Sequence, residues 1–450
     1  MTFERRLLFA ALGAWLVVTV LGVVSGPPLG HDEAAFSVIA RGGGSAWLYR
    51  SSGVVALAKI GVALGGRAWV MRLPTGLAGF GVPLGAWAVG RRAFGARTGA
   101  WAAAVLAGAH PMMMRSAELI GDLPATACML AGIAVVVGEL EPSSGDDAMP
   151  TWRFLLAAPA FAGAFYLRYG SAPVIAIVTA AALVLWWRPI ARRPAPVIAT
   201  AVAFVALLAP HAVHSLHATG RLFGILEESS RMPRREYVGE GLVTYLAWIP
   251  QFWFGALVTP LMIAGGIAFA KPPVRARATW FLGAIAVGQI IAIGLQSHAQ
   301  PRYIFVATSL LVVLGVSWLQ RALMPRPRAA LALVATSWLA CAIAVIPFNV
   351  HLARLRAPLM AAAEAIHTDA AGRPCIVVAH VITQLAWYTG CETELVRDPD
   401  KLDLIPAGMR GYIASVPHGL VEAPIIATTL RATPGPIATG NDLSHVWLLR

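Results

Sequence analysis

Lysine is nearly missing from this chain: only three of its 35 basic residues are lysines, and the rest are arginines. Charge of any kind is scarce, since 13% of the 450 residues are charged where a soluble domain carries roughly a quarter. Too few polar groups are present to cover a water-facing surface, which excludes an ordinary soluble globular protein. Four cysteines with no C-x-x-C pair exclude a disulfide-dense scaffold and a zinc-finger spacing. No basic stripe interleaved with aromatics occurs, so the net charge of +13 does not describe a nucleic-acid groove, and no nucleic-acid partner is expected.

Apolar residues make up 58% of the chain, and its mean hydropathy is +0.69. Runs long enough for a hydrocarbon core of about 30 Å at a rise of about 1.5 Å per residue recur along it. Eleven are read, at about 7–24, 70–89, 99–114, 123–138, 154–167, 172–187, 197–213, 252–270, 280–295, 303–319 and 329–348. The fold class is therefore mainly α: a polytopic transmembrane helix bundle of about 11 spans. The first run reads as an uncleaved span, because no small-x-small cleavage site follows it.

Short cytoplasmic loops retain Lys and Arg, which sets the expected orientation. With Arg5 and Arg6 inside, the loops at Arg91, Arg92 and Arg97, at Arg188, Arg192 and Arg193, at Lys271, Arg275 and Arg277, and at Arg321, Arg326 and Arg328 all fall on the same side. The loop from Glu139 to Arg153, with four acids and one arginine, does not fit. Counting the segment 53–64 as a span would reverse those loops, so it reads as an interfacial or re-entrant helix. The expectation is a multi-pass protein of the plasma (inner) membrane, with a cytoplasmic N-terminus and the C-terminus outside.

Residues 1–348 then form a transmembrane domain, with an outer loop at 26–69. Residues 349–450 regain ordinary charge density, and they contain strand-like runs at Cys375–Ala379 and His445–Leu449 and a possible helix through Gln384 and Tyr388. They read as a small extracytoplasmic α/β domain. Its Cys375 and Cys391 would lie in an oxidising compartment; a disulfide and two unpaired buried thiols are both compatible with the sequence.

Acids are absent from 34–117, from 148–226 and from 241–363. Those that remain near the membrane are costly, and so point to function. Asp32 and Glu33 follow the first run in Gly30-His31-Asp32-Glu33-Ala34. Neighbours on a helix point about 100° apart, so one of the two is suited to chemistry while the other caps the helix or binds a partner; the alternative is that both cap a helix N-terminus, where acids are favoured. Glu118 and Asp122 have the i, i+4 spacing that puts two carboxylates on one helical face. Capping, or pairing with Arg115, is their alternative.

Arg50, Arg168 and Arg302 lie on the expected outer side, against the positive-inside bias, and His298 and Tyr303 flank the last of them. An arginine fork matches phosphate oxygens, and a phosphate at a membrane surface is lipid-linked by location. His211, His214 and His217 do not share one helical face, and no metal site is read there. The residues demand no cofactor, although a divalent metal between a carboxylate pair and a phosphate fits their chemistry.

This arrangement resembles the GT-C superfamily of integral-membrane glycosyltransferases, in the branch of protein O-mannosyltransferases and the lipid A aminoarabinose transferase. The likeness rests on His31-Asp32-Glu33, Arg72-Leu73-Pro74, Gly90-Arg91-Arg92-Ala93-Phe94-Gly95, the stretch from Glu118 to Asp122, Arg302-Tyr303 and Trp387-Tyr388-Thr389-Gly390. It implies transfer of a sugar from a polyprenyl-phosphate carrier to an extracytoplasmic acceptor. It casts Asp32 as general base and Arg168, Arg302 and Arg50 as counter-charges to the phosphate. Glu33, Glu118, Asp122, His298 and Tyr303 would contact substrate. Where relatives carry a Lys-Pro-Pro-Leu-like motif, this chain reads Tyr49-Arg50-Ser51-Ser52-Gly53-Val54. A secondary transporter would instead show inverted repeats and midplane charges, and a non-catalytic membrane protein would have no need of Asp32.

Overall fold

The computed structural model describes residues 2–43, 49–141, 149–231, 236–248, 255–272, 276–323, 327–395, 408–417 and 435–449. Arg275, Arg326 and the start of the run expected at 252–270 lie outside these residues. The chain divides into two compact units. One comprises Met1–Gly22, Leu48–Val54 and Leu73–Val345; the other comprises Val23–Trp47, Val55–Arg72 and Ile346–Arg450.

The first unit is helical. In chain order the helices of the whole protein begin with α1 (Phe3–Val24), α2 (His31–Ala40), α3 (Ser52–Ala63), α4 (Ala68–Gly79), α5 (Gly81–Phe94), α6 (Ala96–Leu106), α7 (His110–Arg115) and α8 (Asp122–Leu140). They continue with α9 (Ala157–Leu167), α10 (Ala172–Leu185), α11 (Trp187–Arg192), α12 (Ala195–Thr219), α13 (Gly224–Arg231) and α14 (Glu240–Val243). The last are α15 (Gly255–Ala270), α16 (Ala276–Gln296), α17 (Phe305–Leu323), α18 (Pro327–Ala370) and α19 (Ile382–Thr389).

Among the described residues six helices are long and apolar enough to cross a membrane: Phe3–Val24, Asp122–Leu140, Ala195–Thr219, Ala276–Gln296, Pro301–Gln320 and Pro327–Ala370. The expected count of about eleven is not reproduced by this measure. The run at 70–89 is two helices meeting at Phe80, the run at 99–114 divides into helices of 11 and 6 residues, and the runs at 154–167, 172–187 and 252–270 form helices of at most 17 residues. Hydropathy registers a continuous apolar run, whereas hydrogen-bond continuity decides where a helix ends.

The buried interior of this unit holds Trp15, Trp186, Phe281 and Phe305. Apolar faces gain little by leaving lipid for one another, so close backbone approach carries much of helix association. A Cβ on Gly265 of α15 would fall 2.2 Å from the Leu311 carbonyl, and one on Gly315 of α17 would fall 2.0 Å from the Leu261 carbonyl. Glycine at both positions lets these helices touch along their backbones.

The second unit contains the small α/β structure the sequence suggests. A five-stranded sheet has the order β2-β1-β3-β5-β4, from β1 (Cys375–Ala379), β2 (Glu392–Leu395), β3 (Arg410–Ser415), β4 (Gly435–Ile437) and β5 (His445–Leu449). β1 runs parallel to β2 and β3, and β5 is antiparallel to β3 and β4. The β-branched run Ile376-Val377-Val378 suits a buried central strand. Leu359, Ala362 and Ile366 of α18 bury against Val377, Leu385, Tyr412 and Val446. Cys375 and Cys391 are disulfide-bonded, closing the β1–α19–β2 segment.

Candidate functional site

Acidic clusters form in each unit, and each is built differently from what spacing alone suggests.

In the second unit, Pro27 and Pro28 precede α2, and Gly30 is its N-cap in extended conformation. Asp32 and Glu33 fall in the first turn, where the helix dipole favours acids. The roughly 100° between neighbours separates them: Asp32 stays half-buried, while Glu33 is 4% exposed. The Arg72 fork closes on Glu33, with Nε 2.7 Å from Oε1 and Nη2 2.9 Å from Oε2. The Gly30 amide donates to the same Oε2 at 2.7 Å, so the N3 acid satisfies the N-cap N–H. Both carboxylate oxygens of Glu33 are thus engaged inside the protein, where they clamp the loop that carries Asp32.

Further contacts hold the loop. Arg356 and Arg72 both donate to the Pro28 carbonyl. The Leu29 amide donates to the Tyr388 hydroxyl at 2.5 Å, and the His31 ring meets the Thr383 hydroxyl at 2.9 Å. Burial pushes the Tyr388 hydroxyl above its ordinary range, which keeps it protonated as part of this frame. The Arg41 guanidinium lies 3.3 Å from the Trp387 ring centroid and donates to the Trp387 carbonyl. The motif Trp387-Tyr388-Thr389-Gly390 thus braces α2 from α19, and Gly390, with φ +75°, supplies the left-handed end of that helix.

In the first unit, Glu118 and Asp122 do not share a helical face. Glu118 lies in the turn before α8 and Asp122 is the first residue of the helix. Gly121 makes the difference. A Cβ there would sit 1.9 Å from the Leu167 carbonyl, so only glycine lets the turn lie against the end of α9. Asp122 then meets the next residue of that chain, Arg168, in an ion pair. Glu118 turns the other way, accepting from Arg115 at 2.7 Å, while its carbonyl accepts from the Thr75 hydroxyl at 2.9 Å.

A second arginine reaches the same acid: Arg302 Nη1 lies 3.9 Å from Asp122 Oδ2. The Arg168 and Arg302 guanidinium carbons lie 4.6 Å and 5.4 Å from the Tyr303 ring centroid. Gln300 accepts from Arg302 Nε at 2.6 Å and meets the His298 ring at 3.1 Å. The Gln289 amide donates to the Tyr303 carbonyl at 3.0 Å and accepts from the Ala307 amide at 2.6 Å. A cleft of about 20 Å³ beside Asp122, Arg168, Arg302 and Tyr303 has room for a water. Asp122, Arg168, His298, Arg302 and Tyr303 are thus gathered in one network. Arg50 packs near the Tyr49 ring, and two residues on the Ser52 amide donates to the Tyr169 hydroxyl, beside Arg168.

The sequence does not single out Arg356, Gln289 or Gln300, and it marks Arg72 and Tyr388 only as parts of motifs, without a role. For Arg72 a signal existed, because a lone arginine in the apolar run 70–89 requires a buried acid to neutralise it. His211 is buried among the Phe165, Tyr166 and Tyr169 rings. Among the described residues no group of three His, Cys, Asp or Glu side chains gathers to hold a metal ion.

The dolichyl-phosphate-mannose-protein mannosyltransferase family matches residues 52–214. No curated protein matches the chain by sequence. ArnT from Cupriavidus metallidurans, in its structure bound to undecaprenyl phosphate, is similar over 99% of this chain and 97% of its own, with a TM-score of 0.72 and 16% identity. The arabinofuranosyltransferase AftD from Mycobacteria is similar over 100% of this chain and 40% of its own, with a TM-score of 0.55 and 15% identity. The archaeal oligosaccharyltransferase AglB from Archaeoglobus fulgidus, in complex with an inhibitory peptide and a dolichol-phosphate, is similar over 87% of this chain and 65% of its own, with a TM-score of 0.51 and 10% identity. The resemblance to the GT-C membrane glycosyltransferases is therefore one of fold along the whole chain and of sequence over residues 52–214.

Proposed function

We propose that this protein is a membrane glycosyltransferase that moves a sugar from a polyprenyl-phosphate donor to an acceptor on the extracytoplasmic side. The observation that carries the reading is the pair Arg168 and Arg302, both turned on the one carboxylate of Asp122 next to Tyr303. Arginines held this way are a preformed receptor for a phosphate, which matches a carboxylate in charge and in fork geometry. The family match and the likeness to lipid-phosphate-binding transferases support the same chemistry.

In the proposed reaction an acceptor hydroxyl oxygen attacks the anomeric carbon. The bond from that carbon to the phosphate oxygen breaks, and the polyprenyl phosphate leaves with the electron pair. Asp32 takes the hydroxyl proton as general base. One displacement inverts the anomeric centre. The leaving group is already a weak base, so it needs positive charge more than a proton, and Arg168 and Arg302, with Arg50, supply it. Asp122 keeps the two forks aligned, while Glu33 holds the loop that carries Asp32. Glu118 and His298 remain candidates for sugar or acceptor hydroxyls.

The test is a comparison of lipid extracts by mass spectrometry from cells with and without the gene, complemented by Asp32→Asn. Accumulation of one polyprenyl-phosphate sugar in the deletion and in the variant, reversed by the native chain, is the expected result. Unchanged glycolipids and glycoproteins in all strains would overturn it.

A further inference from the structure

At the opposite end of α8 from Asp122 lies a second, larger feature. α5 and α8 finish side by side, and between their last turns is a cleft of about 490 Å³ lined by Trp87, Arg91, Arg92, Phe94 and Glu141. That volume falls in the range of small-molecule sites. The cleft also sits at the end of a membrane-length helix, the depth at which lipid headgroups lie.

Its two arginines are used differently. Arg92 lies across Gly138 and donates to the Ala134 carbonyl at 2.5 Å, so it is part of the wall. Arg91 stands with its guanidinium carbon 5.1 Å from the Trp87 ring centroid, and among the described residues its side chain makes no hydrogen bond or ion pair. Arg91 is exposed and lines the cleft. Glu141 and the two helix C-termini, each equivalent to about half a negative charge, roughly offset this pair. The surplus comes from next door: the Trp186 indole donates to Glu141 at 3.3 Å and so brings the start of α11 to the rim. α11 and the residue after it carry the exposed Arg188, Arg192 and Arg193, with Trp187 59% exposed. Tryptophan and arginine together at a helix end mark the membrane–water interface, and basic pockets between spans are where anionic headgroups settle.

We propose that this cleft binds the phosphate of an anionic glycerophospholipid, with the Arg91 fork on the phosphodiester oxygens and the Trp87 face against the glycerol and upper acyl chain. The site does not depend on the glycosyl-transfer reading. It would tie the end of the α5–α8 pair to one class of lipid.

The full-length protein is reconstituted in nanodiscs of phosphatidylcholine with and without phosphatidylglycerol, and thermal unfolding and native mass spectrometry are recorded. The expected result is a higher melting temperature with phosphatidylglycerol and its retention in the gas phase. Retention by Arg91→Gln should be about tenfold weaker, the loss expected for one charge-assisted pair. A parallel titration of detergent-solubilised protein with inorganic phosphate identifies the source: the same Arg91-dependent shift there supports a phosphate site that accepts free phosphate, and no shift supports recognition of the lipid. Arg91→Lys, which keeps charge but loses the fork, should fall between the two and gives the answer if the glutamine variant does not fold. Equal responses of native and variant protein to phosphatidylglycerol, or no difference between the two nanodisc types, would overturn the proposal.

Discussion

Arg72 grips Glu33 through two parallel hydrogen bonds of 2.7 Å and 2.9 Å across a sequence separation of 39 residues, with both side chains almost entirely buried. Removing one partner of such a pair leaves a charge without its neutralising group in a medium of low dielectric. Arg72→Ala and Glu33→Ala should each destabilise the protein by roughly 3–5 kcal/mol, read as a fall in unfolding midpoint in detergent. Asp32→Asn, one residue away, should leave that midpoint nearly unchanged and lower the transfer rate by roughly a hundredfold to ten-thousandfold. Equal loss of stability in all three variants would contradict the division of labour between the two acids.

Gly121 is the point on which the Asp122 site turns. Gly121→Ala would place a methyl 1.9 Å from the Leu167 carbonyl, an overlap that neither backbone can absorb without moving. A loss of about 1–3 kcal/mol is expected from such overpacking, together with loss of activity. Gly266→Ala in α15 is the control: nothing lies within 4 Å of the added carbon, and replacing a helical glycine by alanine there should be neutral or stabilising by up to about 1 kcal/mol.

If Arg168 receives the donor phosphate, Arg168→Ala should raise the KM for the polyprenyl-phosphate sugar by about tenfold or more, the scale of a lost charge-assisted contact. Arg168→Lys should restore little of it, since an ammonium cannot bridge two oxygens in a plane. Steady-state kinetics with donor and acceptor varied separately decide this. A change confined to the acceptor KM would instead place Arg168 on the acceptor side.

The Cys375–Cys391 bond closes a loop with a sequence separation of 16 residues, for which chain entropy gives about 3 kcal/mol. Cys375→Ser with Cys391→Ser, or treatment with reductant, should lower the unfolding midpoint. α19 lies inside the closed segment and carries Tyr388 against Leu29, so protease sensitivity should rise at residues 26–31 as well as in the sheet. Protection there unchanged by reduction would show that the loop is held without the disulfide.

Much of the architecture was legible because it is written in short-range pattern. The run Cys375–Ala379 and the run His445–Leu449 are strands at the expected bounds, since an apolar, β-branched pentapeptide carries its own signal. Helix lengths were less legible: the break at Phe80 falls inside an unbroken apolar run. At the candidate site, residue type marks Arg168 and Arg302, and the structure turns both toward Asp122, a pairing that sequence separation does not reveal. Spacing misled for Glu118 and Asp122, because the i, i+4 rule presumes one continuous helix, whereas the chain is non-helical from 116 to 121 and α8 begins only at Asp122.

Composition by itself determined that this chain lives in lipid, because a chain with so few charged groups cannot present a hydrated surface, and apolar segments must satisfy their backbones as helices. Which acid is clamped inside and which stays half-buried at the start of α2, which arginines converge, and whether two cysteines join are relations between residues far apart in the chain. Only the tertiary structure decides them, because distance along the sequence does not set distance in space.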